Sequence, residues 1–167
     1  MQPDLLPDAG GHQGRAPVPA EVAGHLADEL ERFGVRAGPL DLALNRPILA
    51  SSQESGTLTP ARAVDGNTGT RWSSAYADQQ WIYVDLGTNR SVTGVTLRWE
   101  AAYASQYQIQ TSTDGTTWTT VYSDYNANGG TDTVNFAAAT ARYVKMYAPL
   151  RATQYGVSLW EFEVRGS

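Results

Sequence analysis

The chain has 167 residues, no cysteine and a formal net charge of −5. That length suits one well-packed domain, and without cysteine neither a disulfide framework nor a thiolate metal site can form. Residues 1–42 hold 3 Arg and 7 acids, and residues 43–167 hold 9 basic and 10 acidic residues, so the larger part is nearly neutral and has no basic stripe for nucleic acid or anionic lipid.

No apolar run is long enough to cross a bilayer, and the start MQPDLLPDAGG lacks the basic and apolar regions of a signal peptide. If the parent protein is exported, the signal is expected outside this chain. Residues 1–18, rich in Gly, Pro and Asp, predict a flexible segment. PAEVAGHLADELERFG predicts a short helix: Pro19 suits its first turn, Val22, Leu26, Leu30 and Phe33 share one stripe, and Gly34 can end it. Such a helix needs a surface to pack on. It is read as the frayed end of a neighbouring domain or linker, or alternatively as a helix docked on this domain. Residues 37–42 form the connector, which places the domain proper at 43–167.

From Ala43 the apolar period changes to two. In WIYVDLG, Ile82, Val84 and Leu86 face one way and Trp81, Tyr83 and Asp85 the other. VTGVTLRW puts Val95, Leu97 and Trp99 on one side. YQIQTSTDGTTWTTVYSD reads as two strands around the turn Asp114-Gly115. ARYVKMYA sets Val144 and Met146 against Tyr143, Lys145 and Tyr147, and SLWEFEV sets Trp160, Phe162 and Val164 opposite Glu161 and Glu163. Short strands separated by regular turn signals predict an all-β antiparallel sandwich or barrel. All five Trp lie in this part; they are expected in the core, Trp118 being the exception to watch.

Neither GxSxG, HExxH, CxxC nor a P-loop occurs, and both histidines, His12 and His25, precede residue 43. Paired carboxylates are the remaining route to hydrolysis. The candidates are Glu54 with Glu100 and Glu161 with Glu163, but a polysaccharide hydrolase needs a long cleft, and few loops are available to build one. The chain therefore reads as non-catalytic.

AVDGNTGTRWSS, residues 63–74, concentrates oxygen donors and turn-formers ahead of Trp72. It is no EF-hand, because Thr70 and Tyr76 stand where that loop has its glycine and its bidentate glutamate. Spacing alone leaves a calcium loop and a metal-free polar turn equally open. ALNRP, AVDGNTGTRWSS, QQWIYVDLG and SLWEFEVRG, in that order, resemble the factor V/VIII type C (discoidin) fold and, more closely, the bacterial carbohydrate-binding modules of family thirty-two. The resemblance spans residues 43–167. It implies a jelly-roll β-sandwich with a structural calcium held by the carbonyls of Arg62, Asn67 and Trp160, the carboxylates of Asp65 and Glu161, and Thr70.

Loops at one end of the sandwich form the sugar site in that family. Galactose-binding members use a loop histidine, which this domain lacks. It presents Glu54, Arg71, Tyr76, Glu100 and Tyr155 instead, a set similar to that of the chitosan-binding modules of bacterial chitosanases and glucanases. The chemistry agrees: a carboxylate is the natural partner of a glucosamine ammonium, and tyrosine offers a flat face and a hydroxyl. For each residue a plainer reading stands beside this one: a solvated acid for Glu54, a bracing cation for Arg71. The implied function is a monomeric module tethered to a secreted glycoside hydrolase and directed to chitosan or, alternatively, to neutral β-glucan or galactosides. A lipid-binding or adhesive discoidin domain would show apolar, basic loop tips, whereas ESGTLTP and AYADQQ are mild and near neutral.

Overall fold

The computed structural model describes residues 40–167; the predicted helix at 19–34 and the flexible segment before it lie outside the described residues. Seven strands follow in order: β1 (Ile48–Ala50), β2 (Trp72–Ser73), β3 (Gln80–Trp99), β4 (Ala104–Ser112), β5 (Thr119–Asp124), β6 (Thr131–Arg151) and β7 (Ser158–Gly166). The pairing is antiparallel throughout, in the order β2-β7-β3-β6-β4-β5, with β1 also on β3.

Two long strands are shared between the layers of the sandwich. Residues 80–85 of β3 lie between β1 and the second half of β6, which continues to β4 and β5. Residues 92–99 of β3 lie between β7 and the first half of β6. The bend between these halves falls at Gly87, where φ is +87° and the Asp85 carboxylate accepts the Gly87 N–H at 2.8 Å. Positive φ costs glycine least. At Gly94 the reason is space: a Cβ there would stand 2.4 Å from the Val134 carbonyl oxygen.

Period-two patterning put most core residues where they are found. Ile82, Val84, Leu97, Ile109, Val144, Met146, Phe162 and Val164 are all fully buried in one cluster. Each such side chain stabilises the fold by roughly 1.5–3 kcal/mol. The Asp114 turn forms as expected: its carboxylate accepts the Thr116 and Thr117 N–H groups and the Ser112 hydroxyl, and these bonds hold it well below the usual carboxylate range.

Two expectations are corrected. In β7 the alternation is broken, because Arg98 pairs with Glu161 while Trp99 pairs with Leu159, leaving Trp160 as the extra residue of a β-bulge. Trp160 is consequently half-buried, Leu159 takes the inward place, and Glu161 is fully buried. Of the tryptophans, only Trp72 and Trp99 belong to the core. Trp81 and Trp118 join Tyr83 and Tyr143 on the outer sheet face, with the Lys145 ammonium 3.8 Å from the Trp118 ring centroid. Burial there pushes the Lys145 pKa down.

Trp99 and Tyr107 anchor the end of β3 by donating to the same oxygen, Oδ2 of Asp132, each at 2.9 Å. Burial and the adjacent carboxylate push the Tyr107 phenol strongly upward. Asp132→Ala strands two buried donors, at about 1–3 kcal/mol each. Urea unfolding should show a loss of several kcal/mol, with Asp132→Asn, which keeps one acceptor, losing about half as much.

Candidate functional site

The five residues singled out for sugar binding come from four separate loops and strand ends, and the fold brings all five to the wall of one depression of about 410 Å³. Glu54 follows β1, and its N–H donates to the Ser73 carbonyl at 2.7 Å, fastening its loop to β2. The Trp72 indole N–H donates to the Ser52 carbonyl at 2.9 Å, so the buried ring fixes the same loop from below. Arg71 immediately precedes β2. Glu100 follows Trp99 at the end of β3; its N–H donates to the Ser158 carbonyl, and its carboxylate accepts the Ala102 N–H at 3.0 Å.

Tyr155 stands in the loop between β6 and β7. That loop passes so close to β2 that a Cβ on Gly156 would lie 2.3 Å from the Ser74 hydroxyl oxygen. The Ser74 hydroxyl accepts the Val157 N–H at 2.9 Å, and Arg151 pairs with Asp78 at 3.4 Å nearby. The Tyr76 and Tyr155 rings meet edge to face, with centroids 5.5 Å apart and planes at 79°. Both remain about half exposed, at 53% and 49%. Ser73, Ala101, Ala102 and Thr153 complete the wall. Small residues of loops and strand ends carry no sequence signal of such a role, and none of these four is among the sequence candidates.

The charges differ in kind. The Tyr76 hydroxyl donates to Glu54 Oε1 at 2.6 Å. This bond, with help from Ser73 and the Arg71 charge, holds the Glu54 pKa below its ordinary value and pushes the Tyr76 phenol up. Arg71 Nη1 stands 4.0 Å from Glu100 Oε2 and donates to the Ser158 hydroxyl at 2.9 Å. Glu100 thus has a cation at its side, whereas Glu54 is held by a neutral hydroxyl. A depression with an ionised acid, two tyrosines at an angle and an arginine can grip a cationic, polyhydroxylated ring.

The candidate metal locus is formed by the loop before β2 and by β7. Asp65 accepts the Asn67 N–H at 2.9 Å and the Thr70 hydroxyl, whose oxygen also lies 3.1 Å from the Asn67 carbonyl oxygen. Burial pushes the Asp65 pKa up, but these bonds outweigh it and hold the group below its ordinary value. The Glu161 carboxylate is close enough to influence Asp65, so the loop and the last strand approach each other here. Arg62 sits in the 3-10 turn Pro60–Ala63 that leads into the loop, and Trp160 is the bulged residue beside Glu161. Two acids missing from the expected set are close by: carboxylate oxygens of Asp41, Glu161 and Glu163 lie within 4.8 Å of one another. Glu163 also pairs with Arg98 at 3.4 Å. Asp41 reads as connector by composition, yet its carboxylate accepts the Val164 N–H at 2.9 Å and the Leu42 N–H donates to the Val164 carbonyl. An all-oxygen set around a fully buried glutamate fits a hard cation.

Comparison with known proteins agrees with this geometry. The chain is 52% identical to chitosan-binding module 1 of a chitosanase/glucanase from Paenibacillus sp. IK-5, with a TM-score of 0.75 over 76% of this chain and 99% of that one. It is 51% identical to chitosan-binding module 2 of the same enzyme, solved in complex with chitotriose, with a TM-score of 0.74 over 75% of this chain and 100% of that one. A polysaccharide lyase 8 family protein, HylA, of Enterococcus faecalis is 31% identical over 127 residues; this covers 69% of the chain, which spans only 9% of that relative's length. The sequence model of the F5/8 type C domain matches residues 47–162, and with a jelly-roll sandwich carrying its pocket on the loops of one end, the chain belongs to the F5/8 type C domain family.

Proposed function

We propose that the domain binds glucosamine oligomers through the depression formed by Glu54, Arg71, Tyr76, Glu100 and Tyr155, and does so as a non-catalytic module of a secreted polysaccharide-degrading enzyme. The observation that carries this reading is the Glu54–Tyr76 pair, an ionised carboxylate bonded at 2.6 Å to a neutral donor and open to the depression. Such a group attracts an ammonium through charge and hydrogen bond together, whereas a neutral hydroxyl offers it the hydrogen bond alone. It is also the wrong group for the general acid of glycoside hydrolysis, which needs its pKa raised, whereas that of Glu54 is lowered. The absence of histidine from the domain argues against the galactose-type site.

In the same reading a calcium ion ties the first loop to the last strand. Asp65, Thr70 and Glu161 would hold it with the carbonyls of Arg62, Asn67 and Trp160, and Asp41 and Glu163 extend the acidic surroundings. The ion supplies a cross-link and takes no part in sugar chemistry.

Calorimetry with glucosamine and N-acetylglucosamine oligomers of equal length tests the reading. Acetylation removes the charge and adds bulk, so the acetylated oligomer should bind at least about tenfold more weakly, the loss of one charge-assisted hydrogen bond. Equal affinities would leave a module for neutral glucan, and binding of laminarin oligomers alone would replace the glucosamine reading.

A further inference from the structure

Ser158, the first residue of β7, is fully buried and does not line the depression, yet several of its parts meet at this residue. Its N–H donates to the Ala102 carbonyl at 2.8 Å, and its carbonyl accepts the Glu100 N–H at 3.0 Å. These two bonds clamp the turn that carries Glu100. Its hydroxyl donates to the Trp72 carbonyl at 2.9 Å and accepts from Arg71 Nη1 at 2.9 Å.

A hydroxyl has one proton and two lone pairs. With the proton committed to Trp72, only acceptor capacity faces Arg71, and a guanidinium is a donor alone. The contact therefore has one possible polarity and one geometry. It also sets a distance. Nη1, bonded to Ser158, is kept 4.0 Å from Glu100 Oε2, too far for a closed bidentate pair. If the Ser158 oxygen is removed, Glu100 Oε2, 4.0 Å away and with acceptor capacity beyond its bond to the Ala102 N–H, stands ready to take Nη1. The fork then closes on the acid, and both charged groups turn from the ligand to each other.

We propose that the Ser158 hydroxyl is a positioning residue, holding the Arg71 guanidinium apart from Glu100 so that both stay available to sugar hydroxyl and amino groups. The inference rests on the reading of the depression as a glucosamine site. Because Ser158 acts through Arg71, its removal must matter only while Arg71 is present.

The test is a double-mutant cycle on the full chain, with the affinity of a glucosamine tetramer measured by calorimetry for Arg71→Ala, Ser158→Ala and the double variant. Ser158→Ala should weaken binding by about fivefold to tenfold, Arg71→Ala by at least as much, and the double variant no more than Arg71→Ala alone. A double variant weaker than Arg71→Ala by the full Ser158→Ala factor would overturn the inference, since the serine would then act through general stability. Parent-like affinity in Ser158→Ala with Arg71→Ala impaired would overturn it too, while leaving the sugar site standing. Parent-like affinity in Arg71→Ala would remove the pocket reading and this inference together. Ser158→Cys, which fills nearly the same space with a weak donor and acceptor, repeats the cycle if the alanine variant does not fold. Its loss should be smaller and should likewise vanish in the Arg71→Ala background.

Discussion

Replacing Glu54 by glutamine is expected to weaken binding of glucosamine oligomers by about tenfold or more while leaving any binding of neutral glucan almost unaltered. A hydrogen bond to a charged group contributes about 1.5–3 kcal/mol, and the substitution keeps the shape and removes the charge. The Tyr76 hydroxyl can still donate to the amide oxygen, so the aromatic wall is retained. Glu100→Gln should cost less charge discrimination, because Arg71 already stands beside that carboxylate and the glutamine oxygen can still accept the Ala102 N–H. The pH profile carries the same information. Glu54 is held below its ordinary pKa by the Tyr76 bond, so it stays ionised into mild acid, and affinity should decline only below the usual carboxylate range. On the alkaline side affinity falls as the ligand's amine loses its proton. Added salt should weaken binding in the parent and do little in Glu54→Gln. Calorimetry across pH and salt decides the point, and a Glu54→Gln variant that keeps parent affinity for glucosamine would remove the charge-based reading.

The second large effect concerns the cation. Calcium at about a hundred times its dissociation constant stabilises a native state by about 2.7 kcal/mol. For a domain of this size that is a rise in melting temperature of roughly 10 °C over the chelated protein. Asp65→Ala should abolish the response. Glu161→Gln should change sign with conditions. In chelator it relieves crowding among Asp65, Asp41, Glu163 and a fully buried carboxylate and should raise stability. In calcium it removes a ligand and should lower stability. A melting temperature indifferent to calcium and chelator, with metal content verified as zero in chelator, would eliminate the proposed ion and leave the loop as a polar turn.

Much of this protein was legible from its residues alone, because the signals are local. Period-two alternation identifies Ile82, Val84, Leu97, Val144 and Met146 as core, since successive strand residues face opposite sides and only one side is apolar. Asp114-Gly115 announces its turn through a side chain that bonds its own backbone. Tyr76 and Tyr155 stand out as loop aromatics among small residues, and the family resemblance with the chemistry of a carboxylate toward an ammonium singles out Glu54 and Glu100. Tertiary structure decided what depends on register and on distant partners. No local pattern shows the bulge at Trp160, which arises where β7 is fitted to β3 and which turns Leu159 inward, while Glu161 keeps the face opposite Phe162 and is buried there. Trp81 lies on the outer face that the alternation with Ile82 and Val84 gives it, and tertiary structure adds what it meets there: Tyr83 beside it, with Trp118 packed on Tyr83 and Lys145 over both indole rings. Asp41 reads as connector by composition and becomes part of the acidic cluster only when Leu42 joins β7. Ser158 looks like any strand serine until the fold sets Trp72, Arg71, Glu100 and Ala102 around it, because the bonds a buried hydroxyl makes are chosen by the chain that surrounds it.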